Sequence, residues 1–191
     1  MTLSQFRIEI LRNHLKPTVH EREASSDLGH RAAVVLLLNS FEKEISLLLV
    51  RRAVRLTDPW SGQMAFPGGY MTSQDTCVLD TAIRETREEV GINLIEHELL
   101  GTINDVSSTT RVLIVTPFVA LLRNRVGVIL QKDEIAEAAW IPINDLLMLP
   151  LSKQHIRTTE GELEVDGILC HDQIIWGLTL RMIEDLLSRT R

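Results

Sequence analysis

Hydrophobic and polar positions divide the chain into short apolar runs, separated by polar turns, with an amphipathic stretch near each end. Residues from about 4 to 16 repeat apolar side chains at helical spacing, and Pro17 ends the pattern. Ile174–Arg189 shows the same spacing near the other end. Both stretches are predicted to be amphipathic helices, and the polar stretch Val19–His30 is predicted to be a linker.

Runs rich in valine, isoleucine and leucine predict the strands. The first two, Arg31–Asn39 and Ile45–Val50, flank a short polar turn and predict a hairpin. Further strands are predicted over Leu99–Ile103, Leu113–Leu122 and Glu134–Ile141, a short helix over Asn144–Leu149, and a hairpin over Ile156–Leu169 with its turn at Glu160-Gly161. Strands interspersed with helices indicate an α/β or α+β domain.

The middle of the chain reads as a glycine turn followed by a helix. Gly68-Gly69 is succeeded by a short polar loop, and a helix is predicted from about Thr76 to Val90. Asp75 stands where a residue that caps a helix N-terminus is preferred. Gly91 is the predicted stop of this helix, since glycine accepts the left-handed conformation that ends many helices.

Three glutamates lie on one face of this helix. Glu85, Glu88 and Glu89 are three or four positions apart or adjacent, so their side chains project together. Carboxylates this close repel each other unless a cation lies between them, and oxygen ligands suit Mg²⁺ first and Mn²⁺ second. A solvated charged face is the alternative, but lysines are not interleaved with these glutamates at i+4. Arg84 can reach Glu88 and is predicted to hold the carboxylates in place.

A cluster of arginines follows the second predicted strand. Arg51, Arg52 and Arg55 form the densest cationic group near the acidic helix. The planar guanidinium suits phosphate oxygens, so these residues are candidate phosphate ligands, with Arg51 and Arg55 favoured. The competing interpretation is the solvated end of a strand.

Composition and charge narrow the classes of function. The chain has 191 residues, which is the size of one domain, here taken as 1–191. A net charge of −6 argues against binding to a nucleic-acid backbone. The longest apolar run, Ala32–Leu38, is too short for a membrane span, and the first 16 residues lack the pattern of a secretory signal. Cys77 and Cys170 are predicted to be core residues, and the protein is predicted to be cytoplasmic.

The central stretch resembles the Nudix box. That pattern is a glycine, five residues, a glutamate, seven residues, Arg-Glu, an apolar residue, any residue, Glu-Glu, any residue, a glycine and an apolar residue. The residues of this chain that match its fixed positions, over about 69–92, are Gly69, Arg84, Glu85, Glu88, Glu89, Gly91 and Ile92. Three features depart from it: Asp75 stands at the first glutamate, eight residues separate it from Arg84, and Thr86 replaces an aliphatic residue.

The resemblance implies a fold and a chemistry. Nudix proteins form an α/β/α sandwich with a mixed sheet and one catalytic helix after a glycine-rich loop. They hydrolyse pyrophosphate bonds in nucleoside diphosphate derivatives with Mg²⁺ or Mn²⁺. The residues that would serve are Glu85, Glu88, Glu89 and the Gly68 carbonyl as metal ligands, Glu85 or Glu89 as base, Glu134 as a further base or ligand, Arg84 as an organising residue, and Arg51, Arg52, Arg55 and Gly69 at the substrate.

The substrate is suggested by two further segments. Gly62, three residues and then Phe66-Pro67-Gly68-Gly69 resemble the signature of coenzyme A pyrophosphatases in this family, and Trp176-Gly177-Leu178-Thr179 resembles their late helix. The front half of that signature departs, because Ala53, Val54 and Asp58 stand where it has Arg, Ser and Arg. ADP-ribose or a dinucleoside polyphosphate is the second candidate substrate. A non-catalytic binding module and an isomerase are competing hypotheses for the function, and a homodimer is the candidate assembly.

Overall fold

A computed structural model describes residues 3–18, 30–41, 44–55, 58, 60–108, 112–158 and 161–190 of the chain. Its elements are α1 (Leu3–His14), β1 (Arg31–Asn39), β2 (Ser46–Arg52), β3 (Met64–Ala65), β4 (Gly68–Tyr70), α2 (Val78–Val90), β5 (Glu98–Thr102), β6 (Val106–Ser107), β7 (Ile114–Leu121), β8 (Ile135–Pro142), α3 (Ile143–Met148), β9 (Ser152–Thr158), β10 (Gly161–Cys170), β11 (Gln173–Trp176) and α4 (Gly177–Ser188). The predicted linker, apart from His30, and Glu160 of the predicted turn lie outside the described residues.

Within the described ranges, eight strands form one mixed sheet with β1 at its centre. β1 runs parallel to β7, and β5 and β6 pair with β7 in the antiparallel sense. β2 runs antiparallel to β8 and carries β3 on its other edge. A separate antiparallel sheet contains β9, β10 and β11. The mixed sheet between helices confirms the predicted α/β fold.

The sheet opens between β1 and β2, and the glycine turn lies in this opening. β1 pairs with β2 only at Leu38 and Asn39, whereas its first half pairs with β4 at Ala32–Val34. The segment from β3 to β4 therefore bridges two strands that have moved apart.

Two apolar clusters cover the two faces of the sheet. One contains Phe118 and packs under α2, which lies on that face. The other contains Leu11 of α1, Ile143 of α3 and Ile183 of α4. Cys77 and Cys170 are free and buried, as predicted for core residues. In the described residues, no helix combines the length and the apolar character needed to cross a membrane.

One predicted element is wrong. Ile174–Arg189 was predicted to be a single helix, but its first residues form strand β11, and α4 begins only at Gly177. Gly177 has φ +60, so the chain turns there from extended to helical backbone. The apolar residues Ile174 and Ile175 belong to a strand paired with β10, and their position before a helix mimicked helical spacing.

Candidate active site

Two glutamates of α2 meet the glycine turn. The Glu89 carboxylate is 2% exposed, and its Oε2 accepts a hydrogen bond from the Gly68 N–H at 2.9 Å. A Cβ atom on Gly69 would lie 2.5 Å from Glu85 Oε1, so a side chain at this position would displace this carboxylate. At Gly68, φ is +150 and a Cβ would lie 2.1 Å from the Ala33 carbonyl oxygen. The glycine pair thus lets the backbone lie close to Glu85 on one side and to strand β1 on the other.

A third carboxylate, that of Glu134, lies close to them although it is distant in the sequence. Glu85, Glu89 and Glu134 each offer one oxygen, and these three oxygens lie within 4.8 Å of one another. Glu134 is placed by backbone contacts: its carbonyl accepts the Ala53 N–H at 2.7 Å, and its own N–H bonds to the Gln131 carbonyl at 2.9 Å. The three oxygens are hereafter the carboxylate triad.

The segment before Glu134 is fastened to the end of α2. The Ile129 N–H donates to the Val90 carbonyl and the Gln131 N–H donates to the Glu89 carbonyl, both at 3.0 Å. Ile129 also packs on Gly91, where a Cβ would lie 2.9 Å from the Ile129 Cβ. Carbonyls at a helix C-terminus lack helical partners, so these bonds satisfy them and fix Glu134 relative to Glu89.

Burial and mutual repulsion disfavour the charged forms of Glu85 and Glu89. Burial raises the pKa of Glu89 to about 7, despite the Gly68 hydrogen bond and the Arg52 charge, which lower it. Burial also raises the pKa of Glu85, against the opposing effect of Arg84. Three converging carboxylate oxygens with excess negative charge are the donor set that a hard divalent cation prefers. The residues present therefore fit Mg²⁺ or Mn²⁺.

Arg84 organises the acidic residues through bonds to three carboxylates. It binds Asp75 with both Nε (3.0 Å) and Nη2 (2.8 Å), and its Nη1 donates to Glu85 at 2.7 Å and to Glu88 at 3.2 Å. Its Nη2 also donates to the Tyr70 carbonyl at 3.1 Å. The organising contacts extend to Glu85, beyond the predicted partner Glu88.

The predicted cap at Asp75 is wrong. The N-cap of α2 is Cys77, which makes no side-chain cap hydrogen bond. Asp75 instead turns toward Arg84 and also accepts hydrogen bonds from Thr72 and Thr81. Burial would raise the pKa of Asp75, but the Arg84 and Thr72 bonds outweigh it and lower the pKa to about 2. The shorter side chain still reaches Arg84 across the longer loop.

Of the other predicted site residues, two arginines lie close to the triad, whereas Glu88 and Arg51 lie outside it. Glu88 lies outside the triad, with its side chain 53% exposed. Arg52 Nη1 lies 3.9 Å from Glu89 Oε1, and Arg55 Nη2 lies 3.6 Å from Glu134 Oε1. Arg51 instead forms a paired contact with Glu137 on β8, at 2.7 and 3.2 Å. The structure brings Arg52 and Arg55 to the triad and leaves Arg51 outside it.

Sequence reasoning missed Asp58. Its Oδ2 accepts a hydrogen bond from Arg52 Nε at 2.8 Å, and its Oδ1 accepts one from the Trp60 N–H at 3.0 Å. Asp58 therefore orients an arginine of the site and holds the turn after it. The only sequence signal was an aspartate before Pro59, which is typical of turns.

Comparison with known proteins identifies sequence relatives of the chain. The NUDIX domain family model matches residues 29–160. The Nudix hydrolase NudL of Escherichia coli is 30% identical over 185 residues, which cover 96% of this chain and 90% of the relative. A protein of Schizosaccharomyces pombe is 39% identical over 109 residues, but this match covers 53% of the chain and only 33% of the longer yeast protein.

Solved structures share the fold at lower identity. An Ap4A hydrolase from Caenorhabditis elegans matches 61% of this chain and 82% of its own, with a TM-score of 0.51 and 21% identity. The NUDIX domain of Shewanella oneidensis NrtR, solved with ADP ribose, matches 64% of this chain and 78% of its own, with a TM-score of 0.50 and 22% identity.

Proposed function

Because the chain belongs to the NUDIX domain family and is a Nudix hydrolase acting on pyrophosphate bonds, we propose that it cleaves a nucleoside diphosphate derivative in a Mg²⁺-dependent reaction. The observation that carries this proposal is the carboxylate triad, three oxygens within 4.8 Å. When bound, Mg²⁺ supplies neutralisation of phosphate charge and acidification of a water molecule. Mn²⁺ has the same ligand preferences and can replace it.

The ligand assignment follows from how each carboxylate is held. Glu85 and Glu89 are the principal metal ligands, since Arg84 and the Gly68 N–H fix one oxygen of each. Glu88 is the weaker ligand, because it is more exposed and lies outside the triad. The Gly68 carbonyl, next to this N–H, is the further proposed ligand.

Glu134 is the proposed general base. Its side chain is 43% exposed, so water reaches it more readily than it reaches Glu89. In the reaction, the water oxygen bonds to one phosphorus while its proton passes to the carboxylate. The bond from that phosphorus to the bridging oxygen breaks, and its electron pair leaves with the second phosphate. The proposed role of Arg52 and Arg55 is to offset the charge that spreads over the phosphate oxygens.

Coenzyme A or one of its derivatives is the proposed substrate. The two segments that resemble coenzyme A pyrophosphatases meet in space, since Thr179 Oγ1 donates to the Met64 carbonyl at 3.0 Å. This contact supports a single substrate-binding unit built from both segments. An ADP-ribose or dinucleoside polyphosphate hydrolase is the second candidate, favoured by the Ap4A hydrolase and the ADP-ribose-bound NUDIX domain among the structural neighbours.

A substrate panel with single glutamine variants tests the site. Glu85→Gln and Glu89→Gln should weaken Mg²⁺ binding in calorimetry and lower turnover. Glu134→Gln should lower kcat by about 10²-fold or more with a smaller change in Mg²⁺ affinity, as expected for a general base. Glu88→Gln, at the weaker proposed ligand on the same helix face, should have the smallest effect of the four. Near-normal kcat in both Glu85→Gln and Glu89→Gln would refute the site.

The products identify the substrate and the attacked phosphorus. Wild-type protein with Mg²⁺ is incubated with coenzyme A, ADP-ribose and Ap4A in ¹⁸O-labelled water, and the products are resolved by mass spectrometry. The label should appear in one phosphate product, since the water oxygen is retained by the attacked phosphorus. Cleavage of ADP-ribose with coenzyme A left intact would replace the first substrate by the second.

A further inference from the structure

A cavity of about 380 Å³ lies on the α2 face of the mixed sheet, at the end away from the glycine turn. Its floor crosses four neighbouring strands and is formed by Trp140 on β8, Ser46 on β2, Asn39 on β1 and Leu122 just after β7. Asn39 lies five residues after Val34, the β1 residue that pairs with Gly68, so the floor is roughly 16 Å along β1 from the glycine turn. This cavity, hereafter the distal cavity, is therefore separate from the carboxylate triad.

The strand register puts the floor side chains on one face of the sheet. Asn39 and Ser46 are directly opposite each other, and so are Leu48 and Trp140, two residues further along β2. Alternate residues of a strand share a face, and Leu48 belongs to the apolar cluster under α2. Among the described residues, none from α2 lines the distal cavity, so loops cover this part of the face instead.

Two loops form the walls of the distal cavity. Phe41 follows β1, whereas Arg125 and Val126 follow β7. Arg125 Nη2 donates to the Phe41 carbonyl at 3.3 Å, and the Phe41 N–H donates to Asn39 Oδ1 at 2.9 Å. Phe41 and Val126 also pack against the apolar cluster under α2. These contacts bond the loops to each other and to the floor, and they hold the walls around the cavity.

The polar groups that line the distal cavity can all donate hydrogen bonds. Asn39 uses its side-chain oxygen for the Phe41 N–H, so its amide nitrogen remains as a donor. The buried Ser46 hydroxyl and the Trp140 indole N–H can also donate, and Arg125 adds a positive charge. Within the described part of the chain, no carboxylate lines the cavity. The lining therefore favours a ligand with a negatively charged acceptor.

We propose that the distal cavity binds a small carboxylate that carries one aromatic ring or a short apolar chain. The carboxylate binds at Arg125, because the planar guanidinium matches its two oxygens. The apolar part packs between Phe41 and Leu122. The volume is at the small end of the range for ligand sites and admits one ring with a short arm. This inference goes beyond the proposed hydrolysis, in which the cavity has no role.

The indole signals in a ¹H–¹⁵N NMR spectrum test the site directly, because the chain has only three tryptophans. Trp140→Phe identifies the Trp140 signal. Phenylacetate, the probe, should shift this signal saturably and leave those of Trp60 and Trp176 in place, with a Kd of about 5 mM or tighter for a ligand of this size. Phenylacetamide, which has the same shape without the charge, should bind about five-fold more weakly or worse.

Variants assign the groups that hold the ligand. Arg125→Gln should weaken phenylacetate binding by about five-fold and remove the preference over the amide, whereas Arg125→Lys keeps the charge and should keep the preference. Ser46→Ala should weaken binding by about two- to ten-fold, the range for one hydrogen bond. Arg123→Gln changes an exposed arginine of the same loop that does not line the cavity, and it should bind as wild type does. Arg52→Ala, at the triad, should also leave the affinity unchanged.

Three results would overturn the proposal. The first is the absence of a saturable Trp140 shift up to about 50 mM phenylacetate, which is ten times the weakest expected Kd. The second is a shift of the Trp60 signal in place of the Trp140 signal, which would put the anion beside the triad. The third is equal affinity of wild type for the acid and the amide. Tighter binding of phenyl phosphate than of phenylacetate would overturn the assigned class of ligand. None of these measurements needs turnover, so their outcome is independent of the proposed hydrolysis.

Discussion

Replacing Asp75 by asparagine should destabilise the protein at neutral pH and should do so through one charge. Asp75 is buried, with its side chain 3% exposed, and binds Arg84 through both oxygens. Asparagine keeps the shape of the side chain but removes the negative charge. It also presents an amide donor to the guanidinium, which has only donors of its own.

The size of the effect follows from the pKa of Asp75. The Arg84 and Thr72 bonds lower this pKa from 3.8 to about 2 in the folded protein, against the opposing effect of burial. Each pKa unit is worth about 1.4 kcal/mol, so the ionised carboxylate stabilises the fold by about 2 kcal/mol. That is a substantial fraction of the stability of an ordinary domain, which is about 5–15 kcal/mol.

The pH dependence identifies the charge as the cause. A carboxyl whose pKa is lowered by folding contributes its full stabilisation above its unfolded pKa, and loses it as the pH falls through its folded pKa. The difference in unfolding free energy between wild type and Asp75→Asn should be about 2 kcal/mol at pH 7 and about half of that at pH 3. Urea titrations followed by circular dichroism at several pH values measure it.

A second variant controls for a general effect of losing an aspartate. Asp166 is 60% exposed and pairs with Lys153 at 3.0 Å. Exposed ion pairs contribute less than about 1 kcal/mol, so Asp166→Asn should change stability little at any pH. If the gap between wild type and Asp75→Asn stays constant from pH 7 to pH 3, the Asp75–Arg84 pair does not act through charge and the reasoning fails.

Three further substitutions probe the core, the glycine turn and the arginines. The buried Thr86 hydroxyl has no hydrogen-bond partner in the described part of the chain, so Thr86→Val should raise the unfolding free energy in urea by about 1 kcal/mol; a loss of stability would indicate a hidden partner. Gly69→Ala puts a Cβ 2.5 Å from the carboxylate it faces and should weaken Mg²⁺ binding in calorimetry, while Gly127→Ala, with no atom within 4 Å, should not; equal affinities would refute the contact. Arg52→Ala should lower kcat/KM by about 10-fold or more, and Arg51→Ala should lower it by less. The reverse order would indicate that Arg51, and not Arg52, contacts the phosphates.

The sequence predicted the elements whose pattern is long and continuous. The apolar run Arg31–Asn39 is buried along most of its length, and β1 has those bounds. The helix before Gly91 was also predicted, two residues too long at its start. Strands β3 and β4 contain only two and three residues, too few for a periodic pattern, yet they line the opening in the sheet.

The sequence predicted which residues belong to the candidate site better than it predicted the contacts that they make. The glutamates of α2 were identified from spacing, but spacing alone cannot tell that Glu88 turns outward to Arg84 while Glu89 is buried against Gly68. Glu134 is brought to them by backbone hydrogen bonds, which cannot be recognised from the residue types in a sequence. Asp75 was given the wrong partner because its side chain can bond either a helix N-terminus or a distant arginine. The homodimer stays a prediction.

The attachment of residues 129–131 to the end of α2 limits how this part of the chain can vary in length. Surface loops ordinarily tolerate insertions and deletions. Here the amides of Ile129 and Gln131 are bonded to the last carbonyls of the helix, and Glu134 follows three residues later. An insertion between Gln131 and Glu134 would move one carboxylate away from two that stay in place. The exposed side chains at 131–133 can therefore vary, whereas the number of residues between Gln131 and Glu134 is constrained.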